Sequence, residues 1–120
     1  MFAKEKGQQI EKQVAKHLQK QGMRLITRNY HCRGGEIDLI MQDRETLVFI
    51  EVRYRQSARF GSALESVNKT KQSRIIHTAE HYLQQSRDGY QACRFDVVAV
   101  SPAKTGYQFD WVKNAFQSAY

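Results

Sequence analysis

The chain has 120 residues, 41% of them hydrophobic, which is enough for one modest core and too short for a second. Lys and Arg outnumber Asp and Glu by 19 to 12, a net charge of +7, and this excess points to an anionic partner, either nucleic acid or an anionic membrane surface. No apolar run approaches the roughly 18 residues of a membrane span, the start MFAKEKGQQIEKQ lacks the apolar stretch of a secretory signal, and Cys32 and Cys93 match no CxxC spacing, so the expectation is a single cytoplasmic domain, 1–120, with reduced thiols.

Lys4 to Gln21 places Ile10, Val14 and Leu18 at four-residue intervals with Ala15 beside them, the pattern of an amphipathic helix, and Gly22 supplies its stop. Arg24 to Tyr30 predicts a strand, after which CRGG turns the chain with Gly34 or Gly35 at positive φ. EIDLIM (36–41) and TLVFIEVR (46–53) predict the second and third strands, joined by the four residues Gln42 to Glu45. Ala63 to Gln84 predicts the second long helix, burying Ile75, Ile76, Ala79, Tyr82 and Leu83. RFDVVAV (94–100) is nearly continuous in apolar residues and suits a strand covered on both faces. Pro102 sits in a loop, YQFDWV (107–112) is the last strand, and KNAF (113–116) is expected to turn into a short helix. The order is αβββαββ, an α/β sheet with helices packed on it.

Charges inside two of these strands need a reason, because Asp and Glu are depleted there. Strict alternation puts Glu36, Asp38 and Ile40 on one side of their strand. With a four-residue loop, paired positions in the hairpin add to 87. Asp38 then shares a face with Glu51, and Arg53 extends that face by one step. Two carboxylates so placed repel unless a cation lies between them. A hard divalent ion held by one or two carboxylates, waters and phosphate oxygens is the chemistry of phosphodiester hydrolysis. Arg53 can stabilise charge developing on a phosphate, but it stays protonated and cannot act as a base. On spacing alone an edge ion pair, Glu51 or Glu36 with Arg53 or Arg33, explains the same residues.

GGEIDLI, VFIEVRYR, SVNKTKQSRI and RFDVVAV together resemble the YraN family of small bacterial proteins, itself similar to archaeal Holliday-junction resolvases and the PD-(D/E)xK nuclease superfamily. The resemblance runs from about Gly7 to Phe116. It implies a restriction-endonuclease-like mixed sheet flanked by helices, and metal ligands at Glu11, Asp38 and Glu51 holding Mg²⁺, with Mn²⁺ as a substitute. Where the superfamily prefers lysine this chain has Arg53. Lys71, four residues after Val67 in a V-x-x-x-K-Q arrangement, matches a recurrent family lysine and joins Asp38, Glu51 and Arg53 as a candidate catalytic residue; read without the resemblance it is a surface lysine on a helix. The implied function is a metal-dependent endonuclease for branched or structured DNA, dimeric if it cuts two strands symmetrically. The alternative is a non-catalytic nucleic-acid-binding adaptor, which Arg53 keeps open.

Between Arg53 and Arg74 the six basic residues Arg53, Arg55, Arg59, Lys69, Lys71 and Arg74 face the single acid Glu65, a net +5 that forms an electrostatic footprint for a phosphate backbone. Tyr54 and Phe60 offer stacking surfaces within it, and QSARFGSA (56–63) has the composition of a mobile loop. No recognition helix or zinc finger accompanies it, so contacts to shape and phosphate are expected. Dispersed aromatics disfavour a membrane surface. His77 and His81 lack partners at zinc-ligand spacing. Asp96 reads as a buried structural acid ahead of a further site acid.

Overall fold

In the computed structural model, which describes residues 2–56, 65–86, 89 and 92–118, Ile10, Val14 and Leu18 form the buried stripe of α1, Phe2–Lys20. Gly22 ends the helix at φ 99°. Met23 donates its N–H to Leu18 O (3.1 Å) and Gly22 donates to Gln19 O (3.0 Å), the paired bonds of a Schellman cap, and Met23 is thereby driven into the core.

Five strands follow: β1 Arg24–Cys32, β2 Gly35–Asp43, β3 Thr46–Tyr54, β4 Ala92–Pro102 and β5 Tyr107–Phe116. They lie side by side in that order, antiparallel except for β3 and β4, which are parallel and joined through α2, Lys69–Gln85. The element order is the expected αβββαββ, and the sheet is mixed. α1 covers one face, where Val14 and Leu18 meet Leu39, Ile50 and Val98. α2 covers the other, where Ile75 and Ala79 meet Ile37, Phe49 and Val97. The apolar run of β4 serves both faces at once, as its sequence predicts.

Several boundaries differ from the sequence reading: β1 runs on to Cys32, and β4 takes in Pro102, expected in a loop, as its last residue, paired with Tyr107. The β2–β3 loop is Arg44–Glu45, because Asp43 pairs with Thr46, and Arg44 takes φ 58° to make so tight a turn. β2 persists to Asp43 because the Asp43 carboxylate accepts from Arg94 Nη1 at 3.0 Å. The register therefore moves by two residues, an even shift that keeps Asp38 on one face with Glu51. KNAF does not turn into a helix: it continues β5, where Asn114 at φ 53° donates its N–H to Asp96 Oδ1 (2.9 Å) and Phe116 stacks on Phe95 at 5.0 Å. α2 begins at Lys69, where Asn68 Oδ1 caps the Lys71 N–H at 3.0 Å. Its buried arc centres on Ile75, Thr78 and Ala79 with Tyr82 half-buried; Leu83 falls past the edge of that arc and is 37% exposed, contrary to expectation. Cys32 and Cys93 are free thiols. Among the described residues no helix is long and apolar enough to cross a membrane.

Candidate active site

By simple alternation Ile37 and Leu39 would share a face of β2. They do not: Leu39 packs towards α1 and Ile37 towards α2, so the strand rolls over at Asp38. Opposite the roll, Asn29 of β1 adopts φ 55°, a left-handed conformation that few side chains tolerate. Pairing between β2 and β3 stops at Leu39–Ile50. Beyond it the Val52 N–H, deprived of a backbone acceptor on β2, donates to Asp38 Oδ2 at 2.8 Å. Asp38 thus stands in the fork between two separating strands, within reach of both faces of the sheet.

Each face sends one carboxyl to it. Glu11 of α1 neighbours Asp38 on one side and Glu51 of β3 neighbours it on the other. Burial, then the neighbouring Asp38 and Glu36, push the Glu11 carboxyl up to about 7, against a lowering hydrogen bond from Asn29. Burial, then Asp38, push Glu51 up to about 9, although Arg53 and Lys71 oppose the shift. The strict alternation of Glu36, Asp38 and Ile40 fails through the roll, yet Asp38 and Glu51 meet as the register requires. The ion pair weighed against a metal site is also present: Arg53 Nη2 lies 2.7 Å from Glu51 Oε2, with side chains only 19% and 14% exposed. Both readings of the residues therefore describe the same place.

On the α2 side, Glu51 and Arg53 open into a cleft of about 390 Å³ whose other walls include His31, Glu36, Lys71 and Arg74. Gly35 brings α2 this close. A Cβ on it would collide with Thr78 Oγ1 and lie 3.1 Å from the Arg74 carbonyl oxygen. Of the predicted site residues, the fold gathers Glu11, Asp38, Glu51, Arg53, Lys71 and Arg74. Lys69 is exposed near the start of α2 and does not line the cleft. Arg55 spends its Nη1 donor on Tyr54 O (3.0 Å), and its N–H goes to Val100 O (2.8 Å). Arg59, Phe60 and the predicted loop from residue 57 lie outside the described residues. Tyr54 packs on the α1 face under Lys6, whose Nζ is 4.7 Å from the ring, so it offers nothing to the cleft.

Other candidates have structural partners. His81 Nδ1 is 2.6 Å from the Tyr30 hydroxyl, which engages it away from any pairing with His77. Asp96 is fully buried and accepts from Arg94 Nε (3.0 Å), Trp111 Nε1 (2.8 Å) and the Asn114 N–H, the satisfied structural acid that its strand suggests. The sequence reading missed Asn29, and an asparagine inside a β-rich run, a residue prone to left-handed backbone, was the one signal available.

Among the described residues no three His, Cys, Asp or Glu side chains form a ready ligand cage. Glu11, Asp38 and Glu51 make a line with Asp38 in the middle rather than a triangle. Such a donor set fits a hard ion that takes one or two carboxylates and fills its remaining positions with water and substrate oxygens, as Mg²⁺ does. It does not fit zinc, which asks for nitrogen or sulfur ligands in a closed tetrahedron.

The model of the uncharacterised protein family UPF0102 matches residues 10–100. Among relatives, a UPF0102 protein of Nitrosococcus oceani is 50% identical over 95% of this chain and 93% of its own length. A second, from Psychromonas ingrahamii, is 54% identical over 93% of this chain and 89% of its own. A third, from Saccharophagus degradans, is 50% identical over 93% and 92%.

Proposed function

The chain belongs to the uncharacterised protein family UPF0102, and from the chemistry of the fork at Asp38 we propose that it is a metal-dependent endonuclease acting on branched or otherwise structured DNA. The observation that carries this reading is the placing of Glu11 and Glu51 on either side of Asp38, with Glu51 opening into a cleft lined by Arg53, Lys71 and Arg74. Buried acids in contact need either protons or a cation, and a phosphodiester hydrolase uses the cation. Asp38 and Glu51 would hold Mg²⁺, or Mn²⁺ in its place, with Glu11 supporting Asp38 from the α1 side. The bound ion supplies Lewis-acid chemistry, lowering the pKa of its water and neutralising phosphate charge.

The chain's own residues supply the rest. The Arg53 guanidinium, always protonated, stabilises charge growing on the phosphate. Lys71 enters the cleft from α2 as a second cation. Arg74 and His31 meet the flanking phosphates at the rim, while Arg55 and Lys69 extend the basic track along the backbone, to which the sequence adds Arg59. A homodimer would carry two such sites for paired cuts.

One observation favours the second reading, a nucleic-acid-binding adaptor without turnover: Arg53 is already paired with Glu51 at 2.7 Å, where a neutralised carboxylate has less need of metal. Cleavage and binding of a four-way or forked DNA with Mg²⁺ or Mn²⁺ separate the two. Glu51→Ala is expected to abolish cleavage while affinity holds or rises, since phosphate binding rests on the basic residues and not on the carboxyl. Replacing Arg55, Arg59 and Lys69 with Ala should weaken binding to all sequences and reduce the slope of log K against log[salt] by up to about 0.9 per lost contact. If the wild type and Glu51→Ala bind alike and neither cuts, the adaptor reading stands.

A further inference from the structure

We propose that Asn29 is the positioning residue of the site: its carboxamide holds Glu11 against Asp38, and its left-handed backbone is what puts the carboxamide there. The inference rests on the endonuclease reading only for its catalytic consequence. The positioning itself stands on geometry.

Asn29 sits in β1 between Arg28, paired with Leu39, and Tyr30, paired with Ile37, and so lies opposite Asp38 at the point where β2 rolls from one face to the other. An extended residue there would carry the regular alternation through. At φ 55° Asn29 instead lets β1 follow the roll. Asparagine tolerates this region better than other residues with a side chain. Glycine would serve the backbone equally well, so backbone conformation alone does not account for the carboxamide.

The carboxamide accounts for itself in its contacts. Its two ends are distinguished only by the hydrogen bonds they make. With oxygen towards α1 it would face carboxylate oxygens alone. With Nδ2 in that place it donates to Glu11 Oε1 at 2.8 Å and to Glu36 Oε1 at 3.3 Å. One amide therefore ties a helix carboxylate to a strand carboxylate. Glu11 lies on a side chain with three rotatable bonds, and two like charges push it away from Asp38. The amide is the tether that offsets this push without adding charge of its own.

A crystal structure of Asn29→Gly tests the tether without metal or turnover, since glycine keeps the left-handed backbone and removes only the amide. The Glu11 carboxylate should swing away from Asp38; finding it unmoved overturns the proposal, whether or not the chain cuts DNA. The functional consequence is read from the Mg²⁺ concentration at half-maximal calorimetric binding. Asn29→Gly should raise it by about 10-fold, the lower end of the range for outer-shell partners of metal ligands, with thermal stability near that of wild type. In a Glu11→Ala background the same change should shift it less than about 2-fold, because a residue acting through Glu11 has nothing left to act on. Equal shifts in both backgrounds would mean a merely structural role and overturn the proposal. A displaced Glu11 in a protein whose wild type takes up no Mg²⁺ would keep the tether and defeat the endonuclease reading, so the two failures are told apart.

Discussion

Asp38 completes the β3 ladder by accepting from Val52 and also lies beside the Glu11 and Glu51 carboxyls. Its partner Glu51 is pulled two ways, since Asp38 favours its neutral form and Arg53 its charged form. The balance between them is set by the side chain at position 53. Arg53→Lys exchanges a fork that clamps Glu51 for a compact, mobile ammonium. In a cleavage assay it should retain or gain activity. Lys71→Ala should lower the rate on the order of 100-fold in the wild type, the low end for losing one group that stabilises transition-state charge, and less in the Arg53→Lys background. Equal losses in both backgrounds would show that the two cations do not share a task. Asp38, Glu51 and Arg53 were legible as neighbours because strand parity is local, whereas Lys71 came only through the family resemblance. Asn29 was not, because its left-handed backbone answers a roll in the neighbouring strand that no property of residues 24–32 announces.

α2 reaches the site through one close approach, that of Thr78 and Arg74 to Gly35. The Thr78 hydroxyl is bonded back to Arg74 O at 2.8 Å, so it cannot swing aside freely. Gly35→Ala should therefore displace the helix, costing about 1–3 kcal/mol as an overpacked contact does and weakening cleavage by moving Lys71. Denaturant unfolding of Gly35→Ala, alone and with Thr78→Ala, checks this: part of the loss should return when the hydroxyl is removed. Helices and strands were read from the sequence wherever a period ran unbroken, as in Ile10–Val14–Leu18 and in β4. The reading failed at the ends of the β2–β3 hairpin and of β5, where Asp43, Arg94, Asp96 and Asn114 bond across 18 to 51 residues of chain and prolong the strands. Pairings over such distances leave no mark in a local window. Leu83 was misjudged for a related reason, since the width of a buried arc is set by the surface beneath it.

At the level of the entire molecule, a chain with net charge +7 brings three of its acids, Glu11, Asp38 and Glu51, together half-buried at the open end of the sheet. This has a cost that depends on pH. Between the ordinary carboxyl value of 4.5 and about 9, the folded chain keeps on Glu51 a proton that the unfolded chain has released. The folded state then binds more protons than the unfolded one, so stability falls as pH rises through that window. Glu11 adds to the fall between 4.5 and about 7. A divalent cation seated between Asp38 and Glu51 takes the proton's place and should remove the penalty, most of all at the alkaline end. Other groups titrate over the same range, and Glu51→Gln, which imitates the protonated side chain, supplies the reference.

The decisive measurement is the thermal midpoint of wild type and Glu51→Gln from pH 5 to 9, without metal and with millimolar Mg²⁺. Without metal the wild type should lose stability relative to Glu51→Gln as pH rises, and Mg²⁺ should restore it at pH 8 by roughly 3 °C or more while leaving Glu51→Gln unmoved. A wild-type midpoint that ignores Mg²⁺ at pH 8, or a Glu51→Gln midpoint that rises equally with it, would contradict a cation site at Asp38 and Glu51.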